Sequence, residues 1–102
     1  MDYKDLLKRL LTVIVQQGAS DLFLTAKFAP AMKLDGVMKK IGDTALTGED
    51  VTGLINVMHS VTQQKMFEDT HESNFAYEEG GVGRFRVNIM LQKGREAVVM
   101  RR

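Results

Sequence analysis

The chain has no cysteine and no tryptophan, a single proline, Pro30, and only two histidines, His59 and His71. Without cysteine there is no disulfide, no thiolate nucleophile and no Cys-ligated zinc, a usage that fits a cytosolic protein. The two histidines stand in no His-x-x-x-His or comparable spacing, so no metal centre is expected. No apolar run approaches the roughly twenty residues that span a bilayer. The start, Met1-Asp2-Tyr3-Lys4-Asp5, carries acid where a signal peptide needs positive charge. Gly-Lys never occurs, so the phosphate-loop pattern Gly-x-x-x-x-Gly-Lys-Ser/Thr is absent. Gly80-Gly81-Val82-Gly83 therefore reads as a turn between antiparallel strands. Ser20, Ser60 and Ser73 have no Gly-x-Ser-x-Gly context. Glu68-Asp69 and Glu78-Glu79 are adjacent in sequence, and adjacent side chains diverge, which makes a poor acid–base pair. The residues present form no catalytic constellation.

What is present is a folding pattern and a charge asymmetry. At 102 residues the chain reads as one domain, 1–102, able to bury roughly two thirds of its unfolded surface. Residues 2–17 carry Leu6, Leu7, Leu10, Leu11, Val13 and Ile14 at helical spacing, with Gly18 as the stop. Residues 21–25 read as a strand. Residues 31–41 read as a hairpin turning at Asp35-Gly36 through a primed turn. Thr47-Gly48-Glu49-Asp50 is a capping pattern for a second helix with Val51, Leu54, Ile55 and Met58 on its apolar stripe. Ser60 or Thr62 caps a shorter third helix carrying Met66 and Phe67, which ends at His71-Glu72. Strands at 74–77, 84–91 and 96–102 complete the order α-β-β-β-α-α-β-β-β. That order implies an α+β fold with an antiparallel sheet covered by helices on one face. Of the seven methionines, Met58 and Met66 are expected in the core.

Residues 84–102 hold six basic residues and one acid, Glu96, a net of +5, whereas residues 1–83 have a net of −4. A local cationic surface on a near-neutral chain points to one anionic partner rather than to general nucleic-acid binding. In Arg84-Phe85-Arg86-Val87-Asn88-Ile89 strand alternation sends Phe85, Val87 and Ile89 to the core and Arg84, Arg86 and Asn88 to the other face. Met90 falls on the arginine face. Two guanidinium groups about 7 Å apart can grip phosphate oxygens. A plain solvated strand face has the same spacing, and both readings stay open at this point. The chain closes on Val98-Val99-Met100-Arg101-Arg102 without a polar tail, which reads as a domain taken from a longer protein.

Gln17-Gly18-Ala19-Ser20-Asp21-Leu22, the Pro30 and Leu34-Asp35-Gly36 hairpin, and Gly81-Val82-Gly83-Arg84-Phe85-Arg86-Val87-Asn88 together resemble the N-terminal domain of type IV pilus retraction ATPases. The resemblance spans the whole chain. Within that PilT/PilU family the chain is more similar to the PilU branch. Phe23 stands where PilT-type sequences carry histidine, His71-Glu72-Ser73-Asn74-Phe75 replaces a Glu-Thr-Asp-Phe pattern, and Arg101-Arg102 matches PilU.

The resemblance implies a PAS-like α+β domain, twitching motility as the process, and a RecA-like ATPase core beyond Arg102 carrying the Walker motifs. The fragment itself is then no enzyme and holds no cofactor. ATP and Mg2+ belong to the full-length protein. The partners implied are the cores of neighbouring subunits in a homohexamer, a PilT-like paralogue and the inner-membrane pilus platform protein, with no nucleic acid. The location implied is cytoplasmic, peripheral at the inner membrane. By motif position Arg86 and Arg101 match arginines that approach nucleotide phosphates, with Arg84, Asn88 and Arg102 as weaker candidates. Two other readings compete. A PAS-like small-ligand sensor needs inward polar groups, and the inward set offers only the Tyr77 hydroxyl. An RNA-binding sheet needs aromatics beside its basic residues, and Phe85 faces away from them.

Overall fold

The computed structural model describes residues 1–102. Helix α1 (Tyr3–Gln17) starts at Asp2, whose carboxylate accepts from the Asp5 N–H, so Asp2 is the cap and not the first helical residue. The helix stops at Gly18, in the left-handed region at φ 71°, which returns its N–H to the last turn. Strand β1 (Asp21–Thr25) follows, then β2 (Ala31–Leu34) and β3 (Val37–Lys40). Asp35 and Gly36 both take positive φ, 50° and 79°, as a two-residue primed turn requires. Leu34 accordingly pairs with Val37.

Helix α2 (Gly48–Met58) begins with a complete capping box: the Thr47 hydroxyl accepts from the Asp50 N–H, and Asp50 accepts from the Thr47 N–H. Ser60, not Thr62, caps α3 (Val61–Thr70) in the same way through Gln63. His71 closes α3 in the left-handed region. Strands β4 (Glu72–Glu79), β5 (Gly83–Gln92) and β6 (Arg95–Arg101) run one to two residues beyond most of the limits that their patterns predict.

The strands form one antiparallel sheet in the order β3-β2-β1-β6-β5-β4. The last strand therefore lies in the middle, between β1 and β5. One face carries Leu22, Leu24, Phe85, Val87, Ile89, Val98 and Met100, all buried. Leu7, Leu10, Leu11 and Ile14 of α1 and Val51, Leu54, Ile55 and Met58 of α2 join them in a single cluster. The Thr52 hydroxyl donates to the Glu96 carboxylate and ties α2 to β6. The Tyr3 hydroxyl donates to Asp50 at 2.9 Å, linking the starts of α1 and α2. Gly53 makes this approach possible, because a Cβ there would overlap the Tyr3 ring.

Met58 is buried as expected, but Met66 is not: it is 60% exposed on α3. Phe67 alone of that helix is buried, so one apolar residue satisfies its inner face and Met66 turns outward. His59 is the C-cap of α2. Its ring lies between Phe67 and Phe75, with its nitrogens against Gln64 Oε1 at 2.8 Å and Ser73 Oγ at 2.9 Å. This histidine fastens the α2–α3 junction to β4. No helix is long and apolar enough to cross a membrane.

Candidate anion-facing sheet surface

The three helices cover one face of the sheet, and the opposite face carries none. On that face the ladder registers put residues into rows. Asp21 pairs with Arg101, Arg101 with Arg86, and Arg86 with Ala76, so these four form one row across β1, β6, β5 and β4. The next row is Phe23, Val99, Asn88 and Asn74. The two arginines of the Arg-Phe-Arg strand are thus less closely related than Arg86 and Arg101, which are direct cross-strand neighbours with Cα atoms about 5 Å apart.

Like charges placed directly opposite repel. Here one of the two is compensated from its other side. Asp21, only 9% exposed, accepts from Arg101 Nε through Oδ2 at 3.0 Å. Its second oxygen, Oδ1, accepts from the Ser20 hydroxyl at 2.6 Å. Both carboxylate oxygens are therefore hydrogen-bonded, as a buried charge requires. The Arg86 guanidinium has no hydrogen bond or ion pair within the chain. The surface so formed has an uncompensated positive charge beside a held one.

A shallow depression of about 230 Å³ lies at this place, lined by Asn74, Arg86, Asn88, Met90, Val99 and Arg101. Two guanidinium forks and two amides around an open hollow suit a multiply charged oxyanion. Of the sequence-predicted residues, Arg86, Arg101 and Asn88 come together here. Arg84 lies one step along the same face, with Glu78 as its cross-strand neighbour and outside the lining of the depression. Arg102 is exposed at the chain end, held by its backbone N–H to the Ser20 carbonyl at 3.3 Å.

The charge concentration of residues 84–102 is divided by the fold. Gln92 pairs with Arg95 at the far end of the β5–β6 ladder from the Arg86–Arg101 pair. Six residues of strand separate the two ends, about 20 Å. Lys93 and Arg95 therefore lie at the far end of the ladder, out of reach of the Arg86–Arg101 pair, although alternation keeps Arg95 on the same face.

Sequence reasoning missed Asn74 and Val99 in the lining of the depression, and Asp21 and Phe23 beside it on the same face. Asp21 had no evident partner, because Arg101 is 80 positions away. Phe23 alternates with Leu22 and Leu24, and that alternation is the signal that could have put it on the open face. An aromatic does therefore stand on the basic face, although Phe85 is buried away from it.

No protein-family model matches the chain. The type IV pilus ATPase PilU of Pseudomonas aeruginosa is 36% identical over 95 residues, 93% of this chain and 25% of that protein. PilT of the same organism is 38% identical over 92 residues, 90% of this chain and 27% of that protein. The chain thus spans about a quarter of the curated relatives it matches. Among solved structures, the pilus retraction motor PilT with bound ADP superposes with a TM-score of 0.82 at 28% identity, over 96% of this chain and 28% of that one. The ATPase DotB of Legionella pneumophila shares the fold with a TM-score of 0.79 at 20% identity, over 95% of this chain and 28% of that one. With sequence and fold in agreement over nine-tenths of its length, the chain belongs to the PilT/PilU family, as a homologue of its N-terminal domain.

Proposed function

We propose that this domain serves a hexameric motor ATPase that powers type IV pilus retraction and twitching motility, and that Arg86 and Arg101 face the phosphates of nucleotide held by an ATPase core at a subunit interface. The observation that carries the reading is the Arg86–Arg101 cross-strand pair on the helix-free face, with Asn88 beside it. A guanidinium pair left open to one side favours phosphate oxygens and the charge that develops on them during phosphoryl transfer. ATP and Mg2+ would be held by the core, outside this chain, and this domain would supply only cationic donors. Rotation of the domain with nucleotide state would then carry hydrolysis to the pilus platform protein at the inner membrane. A cytoplasmic location at that membrane, and pairing with a PilT-like paralogue through the Phe23-bearing surface, belong to the same proposal.

ATP turnover by the full-length protein, wild type against Arg86→Ala and Arg101→Ala, tests it, with hexamer formation followed by sedimentation. Loss of an arginine that meets transition-state charge lowers kcat by about 10²-fold or more. Unchanged turnover in both variants, with hexamers intact, would leave the domain a packing module without nucleotide contact.

The RNA reading gains one observation, Phe23 on the basic face. A single half-buried aromatic on a strand other than those of the arginines offers no row of stacking platforms.

A further inference from the structure

The two arginines are not equivalent, and the difference lies in what holds them. Arg86 is free of intramolecular partners, whereas Arg101 is gripped through Nε by Asp21 at 3.0 Å. Ser20 in turn holds Asp21 at 2.6 Å, so the carboxylate cannot rotate without breaking a bond on each oxygen. Ser20 itself is fixed by backbone bonds, from its N–H to the Lys33 carbonyl at 2.9 Å and from the Arg102 N–H to its own carbonyl at 3.3 Å. Asp21 is the one buried charged side chain of the chain.

We infer that Asp21, seated by Ser20, is a positioning residue that orients the Arg101 guanidinium toward an anion on the open sheet face. An arginine has five N–H donors in a planar fork. Use of Nε by Asp21 occupies one and fixes the plane. The two terminal amino groups, with four N–H donors, have no partner in the chain and stay available on a side chain that is 72% exposed. A bidentate phosphate grip needs such a pair of parallel donors. Arg86, opposite across the ladder, keeps its rotamer freedom and adds charge without pre-orientation. The same contact lowers the like-charge repulsion between neighbours, so Asp21 makes the arginine pair tolerable in the empty state as well as directional. The consequence for nucleotide rests on the proposed function, but the orientation of Arg101 does not.

The first arm of the test uses this chain alone. In ¹⁵N spectra optimised for arginine side chains, the Arg101 Nε–Hε signal should be shifted and slow to exchange with water, and that of Arg86 should exchange as a free side chain does. Asp21→Ala should collapse the difference while backbone spectra keep the native dispersion. An Arg101 signal no different from that of Arg86 in the wild type overturns the inference without any variant.

The second arm uses the full-length ATPase. Asp21→Asn and Asp21→Ala should lower kcat/KM for ATP on the order of tenfold, as displacement of an oriented group does. In an Arg101→Ala background the same substitutions should add less than about twofold, because the interaction they remove is already gone. Additive effects in the double variant would mean that Asp21 acts through general stability and would sink the positioning role. If Arg101→Ala alone leaves turnover unchanged while the Arg101 Nε–Hε signal is protected, the nucleotide reading fails and the orientation of the guanidinium stands.

Discussion

The two faces of the sheet are built from the same strands, residue by alternate residue, and differ in almost every physical respect. Phe85, Val87 and Ile89 of β5 are buried beneath α1 and α2, whereas Arg86 and Asn88 between them look out on no helix. On the covered face the stabilising quantity is apolar area removed from water, which is non-directional and tolerant of small shifts. On the open face the organising quantity is charge placement, where one register slip would move every side chain to the wrong side. The covered face thus supports the fold, and the open face is where the fold can spend its precision on a partner.

Truncations on the two sides should break the symmetry most visibly. Leu54 is fully buried against the sheet, and Leu54→Ala should destabilise the chain by about 2–5 kcal/mol in urea unfolding. Val99→Ala, in the half-buried row beside Arg101, should cost less than about 1.5 kcal/mol, and Arg86→Ala should be near neutral. Equal losses on both faces would mean that the open face is also a core surface.

A finer test lies within the covered side. In an exposed helix interior Gly→Ala is favourable by about 1 kcal/mol. Gly53→Ala should instead destabilise by about 1–3 kcal/mol, since the new methyl overlaps the Tyr3 ring. In a Tyr3→Ala background the same change should become neutral or stabilising. Thermal melts of the four species decide it.

The smallest effect concerns acid. Hydrogen bonds from the Thr47 backbone and then the Tyr3 hydroxyl hold the Asp50 carboxyl below its ordinary value. A depressed carboxyl contributes stability that is present above its unfolded value, about pH 4, and lost as pH falls through the folded one. Wild type should therefore lose its advantage over Asp50→Asn as pH drops from about 5 to 3. The hydrogen bond to Asp50 raises the Tyr3 phenol, so the same tie also weakens as pH climbs above about 10. A constant difference between wild type and Asp50→Asn from pH 3 to pH 7 would show that this tie contributes nothing at neutral pH. At the site on the open face, by comparison, the carboxylate that matters is Asp21, and its effect is read in the direction of Arg101 rather than in stability.

Much of the fold was legible because its signals are local. Helical spacing in α1, the Thr47–Asp50 box, the Asp35-Gly36 turn and the alternation of residues 84–89 each act within a few positions, and each appears in the structure where its pattern predicts. Ser60 and Thr62 were left as alternatives although Ser60 has Gln63 at capping-box spacing and Thr62 has Lys65 there, and the reciprocal bond to Gln63 settled it. Met66 was misplaced because periodicity reports which residues share a helix face, not how much of that face the sheet covers.

Sequence by itself therefore determined the elements, their order, the inward set of β5 and the arginines worth watching. Tertiary structure alone decided that β6 slots between β1 and β5, and with it which charges meet. Arg101 faces Arg86 across fifteen positions and Asp21 across eighty, while Lys93 and Arg95, nearer in sequence to both arginines than Asp21 is, end at the opposite end of the β5–β6 ladder. The reason is that strand pairing is a contest among non-local partners, settled by burial of the whole inner face at once, and no short stretch of chain carries that sum.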